Sequence, residues 1–260
     1  ASFHPRDGAI VQSVAEQADI FVEQYDKSTP LEEVKRAFVR PFDLSEAPLL
    51  RVALWQGEEE SVVLMDMHHI IGDAVTAAAI LHRISEGYAG VAGSLPDGPV
   101  YTDYACWLAG QAKALAERER EYWISSLEEL PPLPEIPTDF PRPKAFDYAG
   151  EALDFSLSEE LSLRCDTFCR EKGFTLYQFF AGAFGIFLSK LTGSRDMMVG
   201  APVSCRRNPS LEQTAGLFVS TLPLRLTPRD DLSISDYLTR VRDVMAGLID
   251  HPYTPLGELI

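Results

Sequence analysis

The chain has five histidines, and two of them stand side by side in the stretch LMDMHHIIGDAVT at residues 64–76, with Asp73 four residues after the second. Such a pair can be core packing, a metal site or a catalytic base. Imidazole suits the last role because its unperturbed pKa of about 6.5 leaves it largely neutral near pH 7. Residues 61–67 read as a buried strand and those after Asp73 as a helix. Side chains on a strand alternate between faces, so a strand that continues places His69 with Val63, Met65 and Met67, and His68 with Leu64 and Asp66. One ring then faces a site while the other is held as structure. The same geometry counts against a metal: the histidines are not at i, i+4 on a helix, and no third ligand follows at a metal-site spacing. Asp73 has two compatible readings. It can cap the following helix through its carboxylate, and it can pair with an arginine that fixes the loop carrying His69.

Other chemistries leave no trace. There is no GxxxxGK[ST] phosphate loop, no GxGxxG, no HExxH and no GxSxG elbow. A base without a nucleophile points to the joining of two substrates that bring their own reactive atoms. Cys106, Cys165, Cys169 and Cys205 form no CxxC pair. Cys165 and Cys169 share a face of a predicted helix, a placement that could suit a metal, but their reading is a reduced apolar helix face, since cysteine packs as a small hydrophobe. The formal net charge of −16 disfavours nucleic acid or an anionic membrane surface as a partner. No apolar run approaches the roughly 18 residues of a membrane span, and the opening ASFHPRDGAI shows no secretory signal pattern. The expectation is a cytoplasmic protein with no metal.

The elements that must position the pair come next. A charged helix is expected at about residues 30–39, strands at 49–55 and 60–67 around the polar turn GEEE, and a helix over Ala74–Tyr88 with Ala77, Ile80, Leu81, Ile84 and Tyr88 on one face. Residues 101–130 read as helical, in one piece or two. PPLPEIPTDFPRP, from Pro131 to Pro143, is an extended connector because proline fixes φ and stops helices. Beyond it, EALDFSLS reads as a strand, Ser158 and Thr175 as helix caps and Gly173 as a C-cap. LYQFFAGAFGIFLSKL is apolar nearly all round and reads as buried. Strands at 196–203 and 216–226 precede a helix at about 235–249. The mixture predicts α/β or α+β lobes with mixed sheets.

Taken together, these residues resemble a family, the condensation domain of nonribosomal peptide synthetases. MHHIIGDA is similar to its MHHxxxDG signature, RPFDLSEAPLLRVAL to the segment upstream, YTDYACW to YxDFAxW and PTDFPRP to the connector before its second lobe. VGAPVSCRRNPSLEQTAGLFVSTLPLR resembles the stretch containing GxFVNT, and HPYTPLGELI resembles HQDxPFExLV. Ala74 and Ser220 replace the Gly and Asn of two motifs, and Pro252, Tyr253, Leu256 and Gly257 depart in the last. The chain resembles the middle of a longer domain, lacking the RHExLR segment.

The resemblance implies two chloramphenicol acetyltransferase-like lobes forming a V around a tunnel, both incomplete here. Residues 1–100 would carry the HHxxxD motif; 101–260 would hold the linking helices, the connector and part of the second lobe. It implies an acyltransferase that forms an amide between an upstream carrier-bound acyl or peptidyl thioester and the amine of a downstream carrier-bound aminoacyl group. No cofactor is bound directly, because substrates arrive on the 4′-phosphopantetheine arms of peptidyl carrier domains, with an adenylation domain of the same synthetase as a further partner. His69 is the implied catalytic residue, and His68 and Asp73 shape the loop. Gly72 lets backbone approach the tunnel, Arg206 is a candidate partner of Asp73, and Ser220 and Tyr101 are candidate tunnel residues. Within the family, DAVTAAAIL lacks the Trp-Arg pair of epimerization domains, and heterocyclization domains replace the histidines. A stand-alone acyltransferase using a CoA or carrier thioester is the alternative enzyme. A catalytically silent domain that recruits partners is the alternative outside catalysis.

Overall fold

A computed structural model describes residues 1–91, 93, 98–130, 135–145, 147, 149–254 and 257. Its first element is a hairpin of β1 (Ser2–Arg6) and β2 (Ala9–Ser13), paired antiparallel with Arg6 opposite Ala9. Asp7 and Gly8 join them with φ of 51° and 80°, the positive values that a two-residue hairpin turn demands and that an Asp-Gly pair accommodates. A second sheet has the order β3 (Val22–Asp26), β4 (Leu50–Gln56), β5 (Ser61–Met67). β3 runs parallel to β4 with α1 (Leu31–Phe38) between them in sequence, and β4 runs antiparallel to β5. The Gly57 N–H donates to the Glu60 carbonyl at 2.9 Å and closes the second hairpin. Val34 and Phe38 of α1 are buried, as are Leu49 and Ala53, and α1 lies against β4.

α2 (Ala74–Tyr88) follows, then α3 (Tyr101–Ser126), a single helix. The chain divides into two compact units. The first comprises Ala1–Trp107 together with Arg206–Phe218; the second comprises Leu108–Cys205 and Val219–Ile260.

The second unit is built from α4 (Glu159–Lys172), α5 (Leu176–Thr192), α6 (Ile234–Asp250) and the antiparallel pair β6 (Met197–Ser204) and β7 (Val219–Leu226). Local chemistry sets the helix ends. The Ser158 hydroxyl caps α4, Gly173 ends it in the left-handed conformation at φ 72°, and Thr175 opens α5 in a capping box with Gln178. The two helices meet at 108°. α5 reaches the core through glycines: a Cβ on Gly182 would lie 2.5 Å from Leu238, and one on Gly185 would lie 2.5 Å from the Tyr237 hydroxyl. That hydroxyl donates to the Gly182 carbonyl at 3.2 Å, and burial pushes the Tyr237 pKa up to about 12. Around these contacts pack Trp123, Leu222, Leu224, Leu226, Val241 and Leu248.

Two polar anchors complete this unit. The Arg225 guanidinium pairs with Asp196 and also donates to the Ser126, Glu128 and Glu129 carbonyls, so it caps the end of α3 and ties it to β7. The Glu119 carboxylate, fully buried, accepts from the Tyr253 N–H (3.1 Å), the Thr254 N–H (2.9 Å) and the Thr254 hydroxyl (2.8 Å).

Three sequence expectations need correction. Residues 151–158 form no strand, and Leu153 and Phe155 are exposed. Alternation is only half of a strand signal; the other half is an edge to pair with, and none of the described residues supplies one. α5 is buried on its glycine side alone, and Tyr177, Phe180, Phe184, Phe187 and Leu191 stand out on the other as an apolar stripe. The expected apolar face of α2 is open as well, with Leu81, Ile84 and Tyr88 exposed. Apolar residues at helical spacing mark a face that wants a partner without supplying the partner. Part of the proline-rich connector, residues 131–134, lies outside the described residues.

Candidate functional site

β5 ends at Met67, and His69–Ile71 form one 3₁₀ turn, so the strand does not continue through the histidines as alternation alone would have it. The two histidines differ in their surroundings nonetheless, for a different reason. His68 is the cap of the turn. Its N–H donates to the Leu49 carbonyl at 3.0 Å, and its Nδ1 accepts from the Ile70 N–H at 3.1 Å. An Nδ1 that accepts leaves the proton of the neutral ring on Nε2. The ring stands edge-on to Phe42 at 6.0 Å. The Arg51 guanidinium covers the Phe42 face at 3.6 Å, pairs with Asp66 at 2.8 Å, and donates to the Arg40 and Pro41 carbonyls. His68 is therefore fixed by its own backbone, its ring nitrogen and its aromatic neighbour. His69, the next residue, is exposed, and no described residue hydrogen-bonds its ring.

Gly72 follows the turn in an extended conformation, φ −172°, so its need for glycine is not conformational. A Cβ there would lie 2.8 Å from Met67 Cε and 2.9 Å from Thr76 Cγ2. The absent side chain is what lets the turn close onto the start of α2.

Asp73 is 3% exposed and caps α2, accepting from the Thr76 N–H at 2.9 Å. It also accepts from the Phe218 N–H at 3.1 Å and from Arg206 Nη2 at 3.0 and 3.2 Å. Burial alone would raise its pKa, but the Thr76 and Phe218 amides and the Arg206 charge outweigh it, and the carboxyl sits below its ordinary value. Arg206 in turn donates from Nη1 to the Leu211 and Thr214 carbonyls at 2.5 and 2.7 Å, and lies over the Phe218 ring at 4.0 Å. One guanidinium thus organises the segment 206–218 and fastens it to the aspartate of the histidine loop.

Thr76, Gly216 and Phe218 belong to this assembly; Thr76 was not singled out from the sequence, and Gly216 and Phe218 entered only as the Gly and Phe of the GxFVNT-like stretch. The Thr76 hydroxyl accepts from the Gly216 N–H at 3.0 Å and has the Gly216 carbonyl at 2.9 Å and Asp73 Oδ1 at 3.0 Å within donating reach. A threonine three residues after an N-cap aspartate was the available signal; its partner 140 residues away was not. Tyr101, expected at a substrate tunnel, packs its ring onto Gly216, where a Cβ would lie 2.1 Å from Cδ2, and meets Phe218 edge-on at 5.2 Å. Ser220 lies on β7 in the second unit, opposite Val203. Cys165 and Cys169 are buried thiols on α4, and burial pushes the Cys169 thiol up. Among the described residues no group of three His, Cys, Asp or Glu side chains is arranged to hold a metal.

The arrangement presents one exposed imidazole on a turn held from below by a capped helix and a buried ion pair. An exposed imidazole so placed can exchange a proton with a group brought to it. The sequence profile of the family described as Condensation domain matches residues 1–260, the whole chain. The chain belongs to the condensation domain family. It is similar to tyrocidine synthase 3 of Brevibacillus parabrevis, 36% identical over 262 residues that cover 100% of this chain and 4% of that protein. It is also similar to surfactin synthase subunit 2 of Bacillus subtilis (strain 168), 34% identical over 261 residues covering 100% of this chain and 7% of the other. Among solved structures, the first condensation domain of the calcium-dependent antibiotic synthetase, in complex with a substrate analogue, superposes with a TM-score of 0.81 at 22% identity. The match covers 99% of this chain and 62% of that one, and establishes the fold of the condensation domain here as mixed α/β with small sheets. Among the described residues no single helix is long and apolar enough to cross a membrane.

Proposed function

We propose that this condensation domain forms an amide between two carrier-bound substrates in a nonribosomal peptide synthetase, with His69 at the reacting atoms. The observation that carries the reading is the pair of neighbouring histidines with opposite fates. His68 is spent on structure, whereas His69 is exposed on a turn braced by the buried Asp73–Arg206 pair. Family membership supplies the reaction class.

In the proposed reaction the downstream aminoacyl amine attacks the carbonyl carbon of the upstream acyl or peptidyl thioester. His69 accepts the amine proton as the C–N bond forms. Collapse of the tetrahedral intermediate breaks the C–S bond, and the proton passes to the departing thiolate of the upstream phosphopantetheine arm. The lengthened chain remains on the downstream arm. Carrier domains upstream and downstream, and an adenylation domain that loads them, are the proposed partners, and the phosphopantetheine arms belong to the carriers. The open apolar faces of α2 and α5 support a working unit that contains more polypeptide than these 260 residues.

The test uses the complete synthetase with loaded donor and acceptor carriers, and mass spectrometry of the downstream arm. His69→Ala is expected to slow amide formation by roughly 10²–10⁴-fold, the scale of a lost general base, with its melting temperature unchanged. Equal rates in a folded variant overturn the role of His69. Carrier binding without any amide from the wild type, across a panel of substrates, overturns the reaction.

A further inference from the structure

We infer that Thr76 is a positioning residue for His69, acting through its buried hydroxyl; this rests on the reaction proposed above. Thr76 is 2% exposed and sits in the first turn of α2, three residues after Asp73. It touches the histidine loop in two ways. Its methyl abuts Gly72, where a Cβ would lie 2.9 Å away, and its N–H and hydroxyl both reach Asp73 Oδ1. On its other side the hydroxyl brackets both main-chain groups of Gly216, accepting from the N–H at 3.0 Å with the carbonyl at 2.9 Å. Arg206 Nη2 stands 3.3 Å from the same oxygen.

A threonine hydroxyl has one proton and two acceptor lone pairs. Here the lone pairs face the Gly216 N–H and Arg206, and the single proton has Gly216 O and Asp73 Oδ1 in reach, so the whole capacity of the group is engaged. Gly216 has no side chain with which to be held, and the Tyr101 ring pressed on its Cα forbids one. Its main-chain groups are the handle, and Thr76 grips them. Asp73 holds Phe218 two residues further on, so residues 73 and 76 together fix the first turn of α2 against the segment 216–218 at two points. His69 hangs from that turn through Gly72. Without the hydroxyl, the Gly216 carbonyl keeps Arg206 Nη2 at 3.4 Å, but the buried Gly216 amide loses its acceptor and must find a partner by moving, and the histidine loop moves with the helix start it is packed upon.

The experiment compares wild type, Thr76→Val and Thr76→Ser in the complete synthetase with loaded carriers, reading amide formation at saturating carrier, the KM for the acceptor carrier, carrier loading and thermal unfolding. Valine keeps the shape and removes the hydroxyl; serine keeps the hydroxyl and removes the methyl. Thr76→Val is expected to lower kcat by about 10²-fold, the scale of a misplacement near 1 Å, with KM and loading unchanged, and Thr76→Ser is expected to restore the rate. A folded Thr76→Val enzyme as fast as wild type overturns the inference, and so does a Thr76→Ser enzyme as slow as the valine variant. If valine prevents folding, Thr76→Cys carries the same comparison, since a thiol fills the position but bonds Gly216 weakly. A wild type that loads its carriers and forms no amide overturns the proposed reaction and this role with it, an outcome distinct from failure of Thr76 alone because the wild type itself is then silent.

Discussion

Arg206→Met is the most informative single perturbation of the fold beneath the site. The Arg206 side chain is 5% exposed and that of Asp73 is 1% exposed, so neither charge has water as an alternative partner. Methionine keeps much of the length and apolar volume while deleting the charge. It leaves the Asp73 carboxylate with the Thr76 and Phe218 amides and the Thr76 hydroxyl but no counter-charge; it also removes the Arg206 bonds to the Leu211 and Thr214 carbonyls, of which Leu211 keeps the Thr214 N–H at 3.1 Å. Removing one member of a buried pair costs about 3–5 kcal/mol. In hydrogen exchange that is roughly two to four decades of lost protection, at about 1.4 kcal/mol per decade, centred on residues 73–76 and 206–218. The second arm of the cycle, Asp73→Asn with Arg206→Met, removes the stranded charge while keeping an amide oxygen to cap α2. The double variant should therefore be more stable than Arg206→Met alone, yet short of wild type, because the Arg206 bonds to the Leu211 and Thr214 carbonyls stay lost. Hydrogen-exchange mass spectrometry of the protein, with thermal unfolding, reads both quantities. A cost below about 1 kcal/mol for Arg206→Met, in the range of an exposed pair, or a double variant as damaged as the sum of the singles, would refute the reasoning.

Acid provides a second route to the same pair. The Asp73 carboxyl lies below its ordinary value of 3.8 in the folded state. Its stabilisation is complete above that unfolded value and is lost as the pH falls through the lower folded one. Asp73→Asn should flatten the acid limb of the stability curve below about pH 4, as followed by protection of residues 206–218. Glu119→Ala should remove the acceptor of the buried Thr254 amide and hydroxyl, along with the Glu119 bond to the half-buried Tyr253 amide. With about 1–3 kcal/mol for each buried group left unpaired, the local opening of residues 251–254 should show the largest loss of protection in the second unit. Gly185→Ala places a methyl 2.5 Å from the Tyr237 hydroxyl and 3.0 Å from Leu226. Overpacking of that kind costs about 1–3 kcal/mol, and a melting temperature equal to wild type would refute the tight α5–α6 contact.

Local signals made much of this molecule legible. The helices at 31–38 and 74–88, the β4–β5 hairpin, the caps at Ser158, Thr175 and Gly173, and the role of Asp73 as N-cap all follow from short-range chemistry. The β1–β2 hairpin went unread although Asp7-Gly8 announces it, and β3 went unread because its ladder to β4 is parallel and crosses α1. What failed otherwise was burial. The apolar residues of α2 and α5 mark real helix faces, but whether a face is covered depends on chain elsewhere, and Leu81, Tyr88, Phe184 and Phe187 stand open. In the site, Asp73 was readable from its neighbours and Arg206 emerged only through the family's motif order. The grip of Thr76 on Gly216 uses a main-chain partner, and backbone groups carry no sequence signature at all.

The first unit is discontinuous along the chain, closing on itself only when Arg206–Phe218 joins Ala1–Trp107. Asp73 and Arg206 are 133 residues apart. On a ribosome adding about 5–20 residues per second, the aspartate is added roughly 7–27 s before its arginine. For that interval the carboxylate has no counter-charge, and the histidine turn above it has no floor. The loop that presents His69 is thus among the last parts of its unit to be completed, after most of the second unit has already been synthesised. Vectorial synthesis makes the competence of this loop a late event, set by the arrival of one distant side chain.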